Sequence, residues 1–216
     1  MTMDVIESLK KYGVVPVVAI KEASSAEPLA EALNEGGLPC AEITFRTDAA
    51  EEAIKKISAG FPEMTVAAGT VLTTDQADRA VGAGASLIVS PGFNPTVVEY
   101  CLKHNYKIVP GIVTPSEIEL ALSYGLTHLK FFPAEAAGGI KMIKAMSAPY
   151  SDVRFMPTGG IGPDNLSDYL SFGKVFACGG SWMVKGSLIS NCEFDKIKEL
   201  TREAVSIVKR LREQEI

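Results

Sequence analysis

Two histidines and four cysteines are all the imidazole and thiolate metal ligands in this chain of 216 residues. Cys40, Cys101, Cys178 and Cys192 stand far apart, with no CxxC pair. That spacing excludes a zinc ribbon and a disulfide framework, and it fits a reducing, cytoplasmic setting. His104 and His128 lack a nearby carboxylate cluster, so no metal is expected and no other cofactor is implied. A basic surplus is also missing: Lys and Arg number 21 against 26 Asp and Glu, for a net charge of −5. Nucleic acid is therefore not an expected partner, although a small anion needs only local donors. No apolar run approaches the roughly 18 residues of a membrane helix, so no membrane partner is expected either. Residues 1–11 read as a short amphipathic helix carrying acids and lack the apolar core of a signal peptide.

What remains is an ordinary globular balance, 47% hydrophobic and 22% charged, with material for one large core. Short β-branched runs alternate with longer amphipathic segments. The expected strands are Val14–Ile20, Cys40–Thr44, Thr65–Ala68, Leu87–Val89, Lys107–Pro110, His128–Phe131, Val153–Met156 and Val175–Cys178. Helical patterns lie between them at Ala26–Glu35, Ala49–Ala59, Thr74–Ala83, Thr96–His104, Pro115–Tyr124, Ile140–Met146 and Pro163–Leu170, with a last helix near Glu193–Glu213. Gly36-Gly37, Gly82/Gly84 and Gly125 sit where helices should stop. Ser24, Asp48, Thr73, Asn94, Thr114 and Asp164 sit where helices should start.

Strict β–α alternation implies a parallel sheet covered by helices. An open, doubly wound sheet should carry a glycine-rich first turn, but that turn reads Ala19-Ile-Lys-Glu-Ala-Ser-Ser25. Eight units in this length favour closure. The expected fold is an α/β single-domain (β/α)8 TIM barrel over residues 1–216, with a short N-terminal helix.

Barrel active sites lie at the C-terminal ends of the strands. Period-two alternation in Cys40-Ala-Glu-Ile-Thr44 puts Ala41 and Ile43 on the helix-facing side and turns Glu42 inward. In His128-Leu-Lys-Phe131, Leu129 and Phe131 take the outer side and Lys130 turns inward. Layers inside such barrels draw on alternate strands, so strands two and six can share one. A carboxylate and an ammonium would then meet in an apolar space. One reading is a self-compensating buried ion pair. The functional one is a lysine whose free amine attacks a ketone, beside a carboxylate that shuttles protons.

Other strand ends supply anion binders. Thr70 follows a glycine that lets backbone approach a ligand, and Arg46 offers a planar fork suited to a carboxylate. Strands seven and eight run into Pro157-Thr-Gly-Gly-Ile-Gly-Pro163 and Cys178-Gly-Gly-Ser-Trp182. Glycine-rich turns after these two strands are where barrels hold a phosphate. Ser90-Pro-Gly92 shapes the pocket floor or is a plain turn, and the single Trp182 is expected to pack under the phosphate loop.

Glu42-Ile-Thr-Phe-Arg-Thr47, Ala68-Gly-Thr-Val71, Ser90-Pro-Gly92, Lys130-Phe-Phe-Pro-Ala134, Pro157-Thr-Gly-Gly-Ile161 and Gly179-Gly-Ser-Trp182 follow one another in order, each at a different strand end. Together they resemble the 2-keto-3-deoxy-6-phosphogluconate (KDPG) aldolase family, many of whose members also cleave 4-hydroxy-2-oxoglutarate. The resemblance implies a metal-free class I aldolase that yields pyruvate and assembles as a homotrimer. It implies Lys130 as the Schiff-base lysine and Glu42 as the acid–base. Arg46 and Thr70 would hold the pyruvate carboxylate, and Pro91 and Phe132 would line the pyruvyl pocket. Thr158, Gly159, Gly160, Gly179, Gly180 and Ser181 would take the phosphate and distal hydroxyls. One position departs: many relatives have an arginine at the end of strand one, where this chain has Ala19. Neutral donors, helped by Lys21, would then hold the phosphate. Rival readings are the same chemistry on the 6-phosphogalactonate epimer, a phosphate-binding isomerase or epimerase, and a non-catalytic phosphosugar-binding barrel. Neither of the last two needs an inward lysine on strand six.

Overall fold

The computed structural model describes residues 4–213. Eight parallel strands run in sequence: β1 (Val14–Val18), β2 (Cys40–Thr44), β3 (Thr65–Gly69), β4 (Leu87–Val89), β5, β6 (His128–Phe131), β7 (Arg154–Pro157) and β8 (Cys178–Gly180). Strand β5 is in two pieces, Ile108–Val109 and Gly111–Ile112, on either side of Pro110. Proline has no N–H for the ladder, and the strand changes partner there, from β4 to β6. Neighbours follow chain order throughout, and β8 returns to pair with β1. Bridges Phe155↔Val175 and Thr158↔Gly179 join β7 to β8. The ring is closed, and the barrel expectation holds.

Helices α1 (Val5–Tyr12), α2 (Ala26–Glu35), α3 (Ala50–Gly60), α4 (Thr74–Gly82), α5 (Pro95–Lys103), α6 (Pro115–Ser123), α7 (Gly139–Ser147) and α8 (Leu166–Leu170) account for most of the outer layer. A short α9 (Gly186–Ser190) and the long α10 (Phe194–Glu213) complete it. Strand residues such as Ile43, Ala68 and Phe155 are fully buried between the layers. Helix α1 stops at Gly13, whose φ of 72° suits glycine, and β1 starts at the next residue. The helix thus sits at the N-terminal end of the barrel, where Ile6 shares a cavity with Leu87, Ile108 and His128. Residues 1–3, the start of the expected first helix, lie outside the described residues.

Three helix starts behave as expected. Thr73 and Asn94 accept from backbone N–H groups, and Thr114 forms a capping box with Glu117. Each such cap contributes about 1 kcal/mol. Ser24, Asp48 and Asp164 do not cap: their helices follow Ser25, Ala49 and Asn165, none with a side-chain cap bond. Strand one ends at Val18 rather than Ile20, and α8 starts at Leu166 rather than Pro163. The larger correction concerns strand eight. It was expected at Val175–Cys178; Val175 makes an isolated bridge to Phe155, whereas the continuous pairing is at Cys178–Gly180, against Val14–Pro16. Gly179 and Gly180 are strand residues, not a turn, and crowding explains their identity. A Cβ on Gly179 would lie 2.3 Å from Thr158 Oγ1, and one on Gly180 would lie 2.0 Å from the Trp182 ring.

Candidate active site

Lys130 and Glu42 meet across the barrel. Lys130 Nζ donates to Glu42 Oε1 at 3.0 Å, and the side chains are 6% and 1% exposed. Strands β6 and β2 are not neighbours in the ring, so this bond spans the interior. Room for it comes from Gly69 at the end of β3, where a Cβ would lie 2.2 Å from Glu42 Oε1. Gly69 therefore clears space for the carboxyl group, whereas the expected role was close approach of backbone to a ligand. Glu42 Oε2 is buried with no hydrogen-bond partner. A carboxyl oxygen left unsatisfied in an interior is costly.

Above the pair opens a cavity of about 390 Å³. Of the residues expected in the site, Arg46, Phe132, Thr158, Gly159, Gly160, Gly179, Gly180 and Ser181 line it. Lys130 and Glu42 lie beneath that lining, near Phe132, whose ring centroid is 5.5 Å from Lys130 Nζ. Thr70 is also outside the lining, but its Oγ1 accepts from Arg46 Nε at 3.3 Å. It has φ 57°, an uncommon backbone state for a β-branched residue. That conformation costs on the order of 1–3 kcal/mol and turns the hydroxyl toward Arg46. Pro91 does not line the cavity. Its carbonyl lies over Gly111, where a Cβ would approach to 2.1 Å, and Gly111 pairs with Lys130.

The distal wall is built from two stitched segments. The chain leaving β6 passes the cis Phe132–Pro133 peptide and lies against residues 158–160. Ala134 N–H donates to Thr158 O at 2.8 Å, and Glu135 N–H donates to Gly159 O at 3.1 Å. Gly159 and Gly160 have φ of 104° and 78°, so this turn requires glycine. The Tyr169 hydroxyl donates to Glu135, and burial, aided by that carboxylate, raises the phenol above its usual range. Asn165 accepts from Gly162 N–H at 2.9 Å and donates to Gly160 O at 3.1 Å. Thr158 Oγ1 is buried and unpartnered, as is Trp182 Nε1. The Trp182 ring covers Gly180, as the sequence suggested for a residue packed under the loop. Burial pushes the Cys178 thiol up, so at the foot of this wall it stays protonated.

Among the described residues, two charged ones line the cavity, Arg46 and Lys185, and no carboxylate does. Lys185 was missed in the sequence because it follows Ser181 by four residues and belongs to no strand end. The turn Trp182–Val184 leads from the end of β8 to Lys185. Lys21, expected to assist there, is not part of the lining, although Ala19 is. Among the described residues, no group of three or more His, Cys, Asp or Glu could hold a metal ion. Nor is any described helix long and apolar enough to cross a membrane.

The sequence profile of the KDPG and KHG aldolase family matches residues 5–200. The 2-dehydro-3-deoxy-phosphogluconate aldolase of Haemophilus influenzae is 47% identical over 208 residues, covering 96% of this chain and 98% of that protein. Among solved structures, the KDPG aldolase of Legionella pneumophila, with pyruvate captured at low pH as a covalent carbinolamine, superimposes with TM-score 0.90 at 39% identity. That match covers 94% of this chain and 98% of the other. The 2-keto-3-deoxy-6-phosphogluconate aldolase of Zymomonas mobilis with 3-phosphoglycerate gives TM-score 0.87 at 37% identity, covering 94% and 96%.

Proposed function

The chain belongs to the KDPG and KHG aldolase family, and from that premise we propose that it cleaves 2-keto-3-deoxy-6-phosphogluconate to pyruvate and glyceraldehyde 3-phosphate through a Schiff base on Lys130. As an aldolase it is a carbon–carbon lyase. The observation that carries the reading is the buried Lys130–Glu42 pair at 3.0 Å, beneath a cavity whose lining includes Arg46 and Lys185.

The reaction begins with one proton passing along the Lys130–Glu42 hydrogen bond, which leaves a free amine. That amine adds to the C2 carbonyl of the keto acid, and the proton its nitrogen thereby sheds passes to the carbonyl oxygen to give the carbinolamine. Glu42, now protonated, assists loss of the hydroxyl as water, and the iminium forms. The Glu42 carboxylate then removes the C4 hydroxyl proton. The C3–C4 bond breaks, its electron pair moves into the iminium, and glyceraldehyde 3-phosphate leaves. Protonation of the enamine at C3 and hydrolysis of the resulting iminium release pyruvate and regenerate the amine. Arg46, held by Thr70, is suited to the substrate carboxylate, and the 158–160 and 179–181 segments to the phosphate and distal hydroxyls. Phe132 and Pro91 flank the pyruvyl end.

The pyruvate carbinolamine in the Legionella relative and the 3-phosphoglycerate in the Zymomonas relative both support this assignment. Cleavage of 4-hydroxy-2-oxoglutarate to pyruvate and glyoxylate is a second reaction of the same site, supported by the family's KHG activity. Borohydride reduction in the presence of pyruvate tests the assignment. The expected result is a stable adduct on the peptide bearing Lys130 and loss of turnover. Full activity after that treatment, or in Lys130→Ala, would refute it.

A further inference from the structure

We infer that Lys185 supplies the positive charge by which this site selects a ligand with a second anion at its far end. The inference rests on the aldolase reading above and names the residue that would determine its preference for a phosphorylated substrate. Among the described residues, Arg46 and Lys185 are the charged ones lining the cavity, and no carboxylate there opposes them. Arg46 comes from the end of β2 and is tied to Thr70. Lys185 comes from the segment after β8 and lines the cavity together with Gly159, Gly160, Ser181 and Gly186. Among the described residues Lys185 is exposed and makes no ion pair, whereas Lys198 and Lys107 are each held by acids. Thr158, Gly159, Gly160 and Ser181 line the same cavity as Lys185. An unpaired ammonium and the positive-φ glycine backbone of Gly159 and Gly160 in one cavity lining are suited to a phosphate monoester. Ala19, also in the lining, contributes no charge, so the cation at this end comes from β8's side of the barrel mouth rather than from β1.

Three proteins test this: the wild type, Lys185→Gln and Lys185→Arg. Each is measured with 2-keto-3-deoxy-6-phosphogluconate and with its unphosphorylated counterpart, and each is trapped with pyruvate and borohydride. In Lys185→Gln, kcat/KM for the phosphorylated substrate should fall about 10- to 100-fold, the range expected for one charge-assisted contact. The unphosphorylated substrate and pyruvate trapping should be unchanged, and Lys185→Arg should restore most of the preference. Added salt should erode the preference in the wild type and leave Lys185→Gln nearly flat, because an exposed charge pair is screened. An equal loss with both substrates, or no loss with either, overturns the inference while pyruvate trapping keeps the Schiff-base reading. Failure of the wild type to trap pyruvate overturns that reading first, and this one with it.

Discussion

A single methyl group at position 69 offers a sharp test of how the reacting pair is held. Gly69 does not occupy the left-handed region, so alanine can adopt its backbone. Its Cβ, however, would lie 2.2 Å from Glu42 Oε1 and 2.7 Å from Glu42 Cγ. Moving that oxygen out to the 3.4 Å of ordinary contact is a shift of about 1.2 Å. The same oxygen accepts the 3.0 Å bond from Lys130 Nζ, so the shift breaks or redirects the proton path. Misplacing a catalytic group by about 1 Å costs on the order of a hundredfold in rate. The overpacking should also cost about 1–3 kcal/mol of stability. Gly69→Ala should therefore fold, melt somewhat lower and show kcat reduced about a hundredfold. Its KM for the phosphorylated substrate should change little, because Arg46 and the distal wall are untouched. Pyruvate release followed by coupled NADH oxidation gives the rates, and calorimetry gives the stability. A folded variant within twofold of wild-type kcat would refute the claim that the carboxylate's position governs turnover.

Two other outcomes follow from the same geometry. Arg46→Ala should lower kcat/KM about 10- to 100-fold for phosphorylated and unphosphorylated substrates alike, in contrast to position 185, and a loss confined to one of them would contradict its carboxylate role. At the opposite end of the barrel, burial lowers the His128 imidazole, and the nearby Arg154 adds to the effect. The unfolded chain then binds the proton more readily, so stability is full above the ordinary value of about 6.5 and declines as pH falls through the lower folded value. Melting curves between pH 7.5 and 5.5 should show a smaller drop for His128→Asn than for the wild type, and identical drops would remove His128 as a source.

Glu42 and Lys130 were readable from the sequence because alternation in a short strand leaves one choice of face. Their neighbours Ala41, Ile43, Leu129 and Phe131 are natural outer-layer residues, and all four are buried there. Strand eight was harder. Val175 and Phe176 carry the side chains of a strand, whereas the paired residues Gly179 and Gly180 carry none. Their identity is set by Thr158 and Trp182, contacts invisible to local pattern. Gly69 is a parallel case, since its partner Glu42 lies on the next strand. Lys185 escaped because a loop residue's address depends on where the chain turns back. Pro91 was placed in the right neighbourhood by its motif, but its carbonyl, not its ring, makes the contact with Gly111.

The two backbone bonds from Ala134 and Glu135 to residues 158 and 159 have an effect on ligand length. Lys130 stands four residues before Ala134, so the nucleophile and the far wall belong to one continuous, hydrogen-bonded strip of main chain. Side-chain motion cannot stretch that strip. On the proposed assignment of Lys130 the site would work as a caliper with one fixed jaw: a keto acid too short would leave its far anion unheld, and one too long could not set its C2 over the amine. Changing the length of substrate accepted would then mean moving main chain between β6 and β7, while exchanging side chains on the wall would change only what is gripped.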